Sequence, residues 1–224
     1  MIKSAARYIA IITDGNGRWA EQRELPVYEG HRAGAKVAME RLQDAIEAGV
    51  EEMTSYSFST ENWSRPREEV EGLMKLAGLL IESEVPWVRE AGVRVRFLGR
   101  RGEFTDELRE RLDWAEKETA DNDTLTLFVA FNYGGRMEIV DAARSFTGST
   151  EEEFRQHLYL PEMHDPDMVI RTSGERRLSN FLPWQSAYSE LVFRDELWPD
   201  FTSAAFEECL LEFEGRQRRF GARA

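Results

Sequence analysis

The stretch YIAIITDGNGRWAEQ, residues 8–22, sets how the rest of the chain is read. YIAIIT predicts a short apolar strand, DGNG a glycine turn, and RWAEQ the start of a helix. Gly15, Gly17 and Ala20 satisfy the G-x-G-x-x-G/A spacing of a dinucleotide-binding turn. Asp14 does not fit that reading, because it puts a carboxylate where a pyrophosphate needs positive charge.

Working outward, the chain has 224 residues, 42% hydrophobic and 32% charged, which is enough to bury a full core in one domain spanning 1–224. No apolar run reaches the roughly 18 residues that cross a bilayer, and MIKSAARY is too short and mixed for a signal peptide, so a cytoplasmic protein is expected. A net charge of −13 argues against a nucleic-acid partner. Cys209 is the single cysteine, which excludes an internal disulfide or a cysteine metal cluster, and its setting FEECLLEF reads as core.

Apolar runs at 8–13, 53–59, 93–99, 125–132, 168–172 and 190–193 predict strands, several too uniformly apolar to have a wet face. Helical spacing links Ala38, Leu42, Ala45 and Ile46, then Val70, Leu73, Met74, Ala77, Ile81, Val85 and Val88, and finally Phe206, Cys209, Leu210 and Phe213. Strands alternating with helices imply an α/β fold with a mainly parallel sheet, in which ligands bind beyond the C-terminal strand ends.

Against that frame a dinucleotide site fails its second test. The acidic residue expected about 20 positions after the glycines would fall around 36–40, in mid-helix rather than at a strand tip. An EF-hand also fails, because Arg18 and Trp19 occupy positions of a ligand and of the required glycine. A diphosphate with Mg²⁺ fits better. Gly15 and Gly17 let backbone amides approach phosphate oxygens, Arg18 adds donors, and Asp14 holds a hard cation together with the substrate. The plainer alternative makes Asp14 a turn former.

Two further clusters follow predicted strands. SFSTENWSRP brings Ser59, Glu61, Asn62, Trp63 and Arg65, with Ser64 and Pro66 also readable as a helix start. VIRTSGERRLSNF brings Arg171, Glu175, Arg177 and Ser179, fork donors suited to a second phosphate or, alternatively, a solvated cluster.

Together DGNGRWA, SFSTENWSRP, FNYGGR and RTSGERRLSNFLPWQSAYSEL…WPDF resemble the cis-prenyltransferase family, in order and over essentially the whole chain. The resemblance implies a parallel six-stranded sheet flanked by helices, an apolar tunnel, a homodimer, and Mg²⁺-dependent condensation of isopentenyl diphosphate with an allylic diphosphate to a medium or long polyprenyl diphosphate. Contact with membranes would come through the lipid product.

By the same resemblance Asp14 is a Mg²⁺-linked carboxylate and Glu190 a second. Gly15, Asn16, Gly17, Arg18 and His31 cradle the allylic diphosphate, with Trp19 beside them. Ser59, Thr60, Glu61, Asn62, Trp63 and Arg65 lie on a substrate loop, where Asn62 assists proton removal by orienting the group that takes the proton. Arg171, Arg177, Leu178 and Ser179 match the isopentenyl diphosphate site, and Arg219 and Gly221 an element reaching the neighbouring subunit. Val27 stands where the family often has an arginine, so either Arg23 substitutes or the allylic site is weaker. The 144–165 segment is short for the family.

The small residues Ser57, Gly72, Ala77 and Gly78 leave room in the tunnel, Met74 and Leu80 are candidates for its floor, and Pro86 should kink the long helix. Two alternatives remain beside the enzyme. A catalytically weak partner subunit would be expected to lose Asp14, and a Rossmann-type NAD(P) oxidoreductase has only the Gly15–Ala20 spacing in its favour.

Overall fold

In the strand Tyr8–Ile12 (β1), successive side chains serve opposite sides of the molecule. Ile9 and Ile11 join one core cluster and Ala10 and Ile12 another, so both faces of the strand are covered. The computed structural model describes residues 1–216, and Arg219 and Gly221 lie outside the described residues.

After β1 come α1 (Asn16–Glu21), α2 (Val27–Ala48), β2 (Glu52–Ser59), α3 (Arg67–Glu90), β3 (Val93–Leu98), α4 (Asp106–Glu118) and β4 (Leu125–Tyr133). Then follow α5 (Gly135–Ser145), α6 (Glu151–Arg155), β5 (Met168–Arg171), β6 (Glu190–Phe193) and α7 (Ser203–Glu214). The six strands form one sheet in the order β3-β4-β2-β1-β5-β6, and every neighbouring pair is parallel. The apolar runs therefore mark the strands correctly, because a parallel sheet covered on both faces has no polar alternation to show.

On one face Val37, Leu42 and Ala45 of α2 pack with Phe206, Cys209, Leu210 and Phe213 of α7. Cys209 is core, and burial pushes its thiol up to about 12. On the other face Leu160, Met163, Phe181 and Leu182 cover Phe128, Ala130 and Val169. A third cluster joins α3 and α4 through Val70, Leu108 and Leu112 around Phe58 and Phe131.

Register decides which loops meet. Ile12 at the end of β1 lies beside Tyr56 of β2 on one side and Arg171 of β5 on the other, so the segments after all three strands emerge together. After β2, a short 3-10 turn spans Thr60–Ser64, and the amide of its first flanking residue, Ser59, donates to Asn62 Oδ1 at 3.0 Å. Ser64 is not the cap of α3, which starts after Pro66; the Ser64 hydroxyl instead donates back to the Glu61 carbonyl at 2.7 Å. Helix α3 runs from Arg67 to Glu90 through Pro86 without ending there.

Helix α1 is only six residues long and is clamped against α2. A Cβ at Gly30 would overlap the Asn16 carbonyl oxygen, and one at Gly34 the Asn16 side chain. Gly30→Ala is therefore expected to cost about 1–3 kcal/mol, as overpacking does. Gly78 meets only the movable end of Arg111 on α4, so Gly78→Ala should lie within about 1 kcal/mol of the parent. Chemical denaturation of both variants checks the contrast, and equal losses would contradict it.

Candidate functional site

Arg171 is the last residue of β5, 4% exposed, and its guanidinium organises the strand ends. Nη2 donates to Asp14 Oδ2 at 2.8 Å, while Nη1 donates to Ser179 Oγ at 2.7 Å and to the Arg177 carbonyl. Thr172, which the sequence reading passed over, braces Asp14 from the same strand end. Its hydroxyl donates to the Asp14 carbonyl at 2.7 Å and accepts from the Asp14 amide at 3.1 Å. Arg18 approaches the other carboxylate oxygen of Asp14 at 3.6 Å and donates to the Ser173 carbonyl. Burial alone would raise the Asp14 pKa, but the Arg171 hydrogen bond and neighbouring charge outweigh it and hold the carboxyl below its ordinary value.

The turn after Asp14 needs glycine. Gly15 has φ 114°, a left-handed value that side chains rarely adopt, and Leu197 closes over the space a Cβ would take. Behind it the Trp198 amide donates to the Asp14 carbonyl at 3.0 Å and its indole to the Gly34 carbonyl at 2.8 Å. The first-turn amides of α1 have no intrahelical acceptor and are available to a ligand.

A polar cavity of about 760 Å³ opens over this arrangement. Asp14, Gly15, Asn16, Gly17, Arg18 and His31 line it from the first cluster; Ser59, Glu61, Asn62 and Arg65 from the second; Arg171 and Ser179 from the third. Val27 lines it too. Arg23 does not take its place, being held on Asp200 at 3.1 Å with its guanidinium over the Trp19 ring. Asn180, also missed from sequence, ties the clusters together. Its amide donates to Glu61 at 2.9 Å, and its oxygen accepts from the Arg136 amide at 2.8 Å. Only the structure shows the local mark of this loop, in which Ser173, Ser179, Asn180 and Leu182 all take positive φ.

The remaining expected site residues are placed differently. Trp19 donates to Asp200 at 2.8 Å and Trp63 to Asn132 at 2.7 Å, the latter packed on Phe58 and Phe104. Both indoles hold loops in position and do not line the cavity. Thr60 donates to Glu61, Leu178 packs on the core, and the exposed Arg177 pairs with Glu175. Glu190 opens β6 beside Met168, the first residue of β5, and pairs with Arg216 at 2.8 Å. In a parallel sheet that is the edge opposite Asp14, so one chain does not bring the two carboxylates together.

The polar cavity adjoins an apolar tunnel of about 240 Å³. Thr13, Asn16, His31, Ser57 and Leu73 line both. From this junction the tunnel runs between α2, α3 and the sheet, past Ala77, Leu80 and Ile81, to Val88, Met53 and Val95. Leu73 to Val88 spans about 22 Å of helical rise. Ala77 and Leu80 are tunnel residues as expected. Met74 and Gly72 do not line it, and Gly78 turns toward Arg111 of α4, because the helix phase carries these positions off the tunnel face.

A comparison with protein families matches residues 12–221 to the family described as "Putative undecaprenyl diphosphate synthase". The chain is 49% identical to an isoprenyl transferase of Thermotoga maritima, with 96% of each chain covered. It is 43% identical to the farnesyl-diphosphate-specific ditrans,polycis-undecaprenyl-diphosphate synthase of Xanthomonas axonopodis, covering 96% of this chain and 88% of that one. Among solved structures, lavandulyl diphosphate synthase from Lavandula x intermedia, in complex with dimethylallyl diphosphate, superposes with a TM-score of 0.93 at 31% identity, covering 96% of this chain and 98% of that one.

His31 generates a prediction. Burial, then the Arg65 charge, lower its pKa to about 4 against an opposing effect of Glu69, and its buried Nε2 has no hydrogen-bond partner. The folded state therefore holds the ring neutral where the unfolded chain protonates it. That stability is fully present above about pH 6.5 and is lost as pH falls toward 4, on the order of 3 kcal/mol at most. Melting curves of the parent should fall more steeply over this window than those of His31→Gln, and parallel curves would contradict the assignment. With a polar cavity joined to a long apolar tunnel and full-length matches at this level, the chain belongs to the undecaprenyl diphosphate synthase family, the cis-prenyltransferases.

Proposed function

We propose that residues 1–224 act as one catalytic unit that condenses isopentenyl diphosphate with an allylic diphosphate, farnesyl or similar, to a medium or long polyprenyl diphosphate. The observation that carries this reading is the junction: five residues line both a cavity of phosphate-binding character and a tunnel suited to a hydrocarbon chain. The bound dimethylallyl diphosphate of the lavandulyl diphosphate synthase structure and the farnesyl diphosphate specificity in the name of the Xanthomonas relative support an allylic substrate.

In this reading the α1 amides, Arg18 and His31 hold the allylic diphosphate, and its prenyl tail enters the tunnel past Ser57 and Leu73. Arg171 and Ser179, with Arg177 swinging in from Glu175, hold isopentenyl diphosphate. The allylic C–O bond breaks with its electron pair leaving on diphosphate. The π electrons of isopentenyl diphosphate form the new C–C bond, and a proton is then lost to leave a cis double bond. Donors that grip the departing charge more tightly than the ground state lower the barrier. Asn62 Oδ1 is occupied by the Ser59 amide, so the group it offers is the Nδ2 donor, suited to orienting a phosphate oxygen or water that takes the proton.

The residues present fit Mg²⁺. The cavity lining carries three arginines (Arg18, Arg65, Arg171) against three carboxylates (Asp14, Glu61, Glu69), so it has no excess positive charge with which to meet a diphosphate. Among the described residues no group of three His, Cys, Asp or Glu forms a metal cage of its own. Asp14 together with substrate phosphates would hold the ion, the usual arrangement for Mg²⁺, which when bound stabilises the charge of the leaving diphosphate. Glu190 would serve such an ion only across a subunit boundary, in the homodimer that we also propose. No described helix is long and apolar enough to cross a membrane. We place the enzyme in the cytoplasm, meeting membranes through its lipid product.

The test is to incubate the protein with farnesyl diphosphate, labelled isopentenyl diphosphate and Mg²⁺ and to size the extracted products. Label should enter chains several units long, chelation should stop it, and Asp14→Ala should lower turnover on the order of 100-fold or more. Because Asp14 partners the buried Arg171, that variant should also lose about 1–3 kcal/mol of stability, which its position in a turn does not suggest. Absence of labelled product from the parent, or full activity in Asp14→Ala, would overturn the reading.

A further inference from the structure

Two asparagines in left-handed conformation anchor the Thr60–Ser64 turn. Asn132, at φ 53°, accepts from the Trp63 indole at 2.7 Å and is itself fixed by donating to the Arg100 carbonyl at 3.0 Å. Asn180, at φ 65°, donates to Glu61 Oε1 at 2.9 Å. Asn62, which lines the polar cavity, sits between the two anchored positions. The anchors belong to different parts of the molecule. Asn132 is buried in β4, whereas Asn180 follows Ser179, which lines the cavity and accepts from Arg171.

Helix α5 imposes the orientation of the Asn180 side chain. The Asn180 carbonyl accepts from the Gly135 amide at 2.9 Å and its Oδ1 from the Arg136 amide at 2.8 Å, two first-turn amides with no intrahelical acceptor. With the oxygen committed, Nδ2 is the group left for Glu61. Burial pushes the Glu61 carboxyl up, but the Asn180 hydrogen bond and those of the turn itself hold it below its ordinary value, so the acceptor is a charged carboxylate. A Cβ at Gly134 would overlap both Thr60 Oγ1 and Asn180 Nδ2, so the two loops meet there without a gap. Beyond the turn, Arg65 pairs with Glu69 at 3.0 Å and its charge is felt at His31. The stretch 61–65 thus links Asn180, beside Ser179, to the neighbourhood of His31.

We propose that Asn180 is a positioning residue that couples the two diphosphate subsites through its hydrogen bond to Glu61. Isopentenyl diphosphate at Arg171 and Ser179 holds the loop that presents Asn180, and the allylic diphosphate at His31 and Arg18 holds the far side of the Thr60–Ser64 turn. Each substrate therefore stabilises the seated turn that the other needs, and the coupling is reciprocal. Asn62 is set in place only when both are bound. The proposal rests on the reading of the cavity as a site for two diphosphates.

Three variants test it. Asn180→Asp keeps the acceptor for the Arg136 amide and tolerates the left-handed backbone, but sets a second carboxylate against Glu61. Glu61→Ala removes the acceptor and leaves Asn180 on α5. The double variant Asn180→Asp with Glu61→Gln reverses donor and acceptor at the same net charge. Calorimetric titration with isopentenyl diphosphate and Mg²⁺ gives the affinity with and without a non-hydrolysable farnesyl diphosphate analogue. The ratio of the two affinities measures the coupling, and a charge effect equal in both titrations cancels from it. The analogue should tighten isopentenyl diphosphate binding on the order of 10-fold in the parent and in the double variant, and by less than about 2-fold in either single variant. A parent ratio of one overturns the proposal, and so does a parent-like ratio in either single variant or a double variant that recovers none of it. If Asn180→Asp does not fold, Glu61→Ala decides alone. A parent that binds neither diphosphate overturns the reaction assignment itself, a failure visible before any variant is compared.

Discussion

One guanidinium group, that of Arg171, ties the site together. A charge 4% exposed must be paired, because an uncompensated charge in such a place is strongly destabilising. Parallel register puts the end of β5 beside the end of β1, and Asp14 is the carboxylate that the register makes available. The Nη1 group of Arg171 folds the following loop back on itself through Ser179 and the Arg177 carbonyl. That loop reverses direction through left-handed residues costing roughly 1–2 kcal/mol each when they are not glycine. Their persistence fits a segment whose conformation is imposed by what it binds around.

Around this pair the molecule keeps two solvents apart. Beyond the strand ends, charges balance and buried groups such as His31 Nε2 lack partners, the polar setting in which we propose the diphosphates bind. A few residues deeper, the wall becomes Leu, Ile, Val and Met between α2, α3 and the sheet. Ser57 and Leu73 belong to both environments, so one molecule with an anionic head and a hydrocarbon tail satisfies both at once. Neither half alone specifies that ligand.

Much of this was legible in the chain. Buried parallel strands read as unbroken apolar runs, and the three polar clusters each follow such a run, so their meeting at one sheet edge follows from the fold class. Glu190, given by the resemblance as a second metal carboxylate, opens its strand instead of ending it, and in a parallel sheet that fixes it on the edge of its own chain opposite Asp14, a placement no motif reveals. The indoles of Trp19 and Trp63 looked like ligand contacts because they sit inside polar motifs. Their partners, Asp200 and Asn132, lie 181 and 69 residues away, and only tertiary structure reveals such hydrogen bonds. Thr172 and Asn180 act through backbone and cross-loop bonds that leave no periodic trace. The phase of α3 was available from spacing alone, and it separates Ala77, on the tunnel, from Gly72 and Gly78, off it.

The most direct measurement of this account is a crystal structure with a non-hydrolysable farnesyl diphosphate analogue, isopentenyl diphosphate and Mg²⁺. The account predicts one diphosphate over the first turn of α1 with its tail between α2 and α3, a second diphosphate at Arg171 and Ser179, and a metal held at Asp14. A prenyl tail lying outside the α2–α3 tunnel, or a metal bound without Asp14, would contradict it.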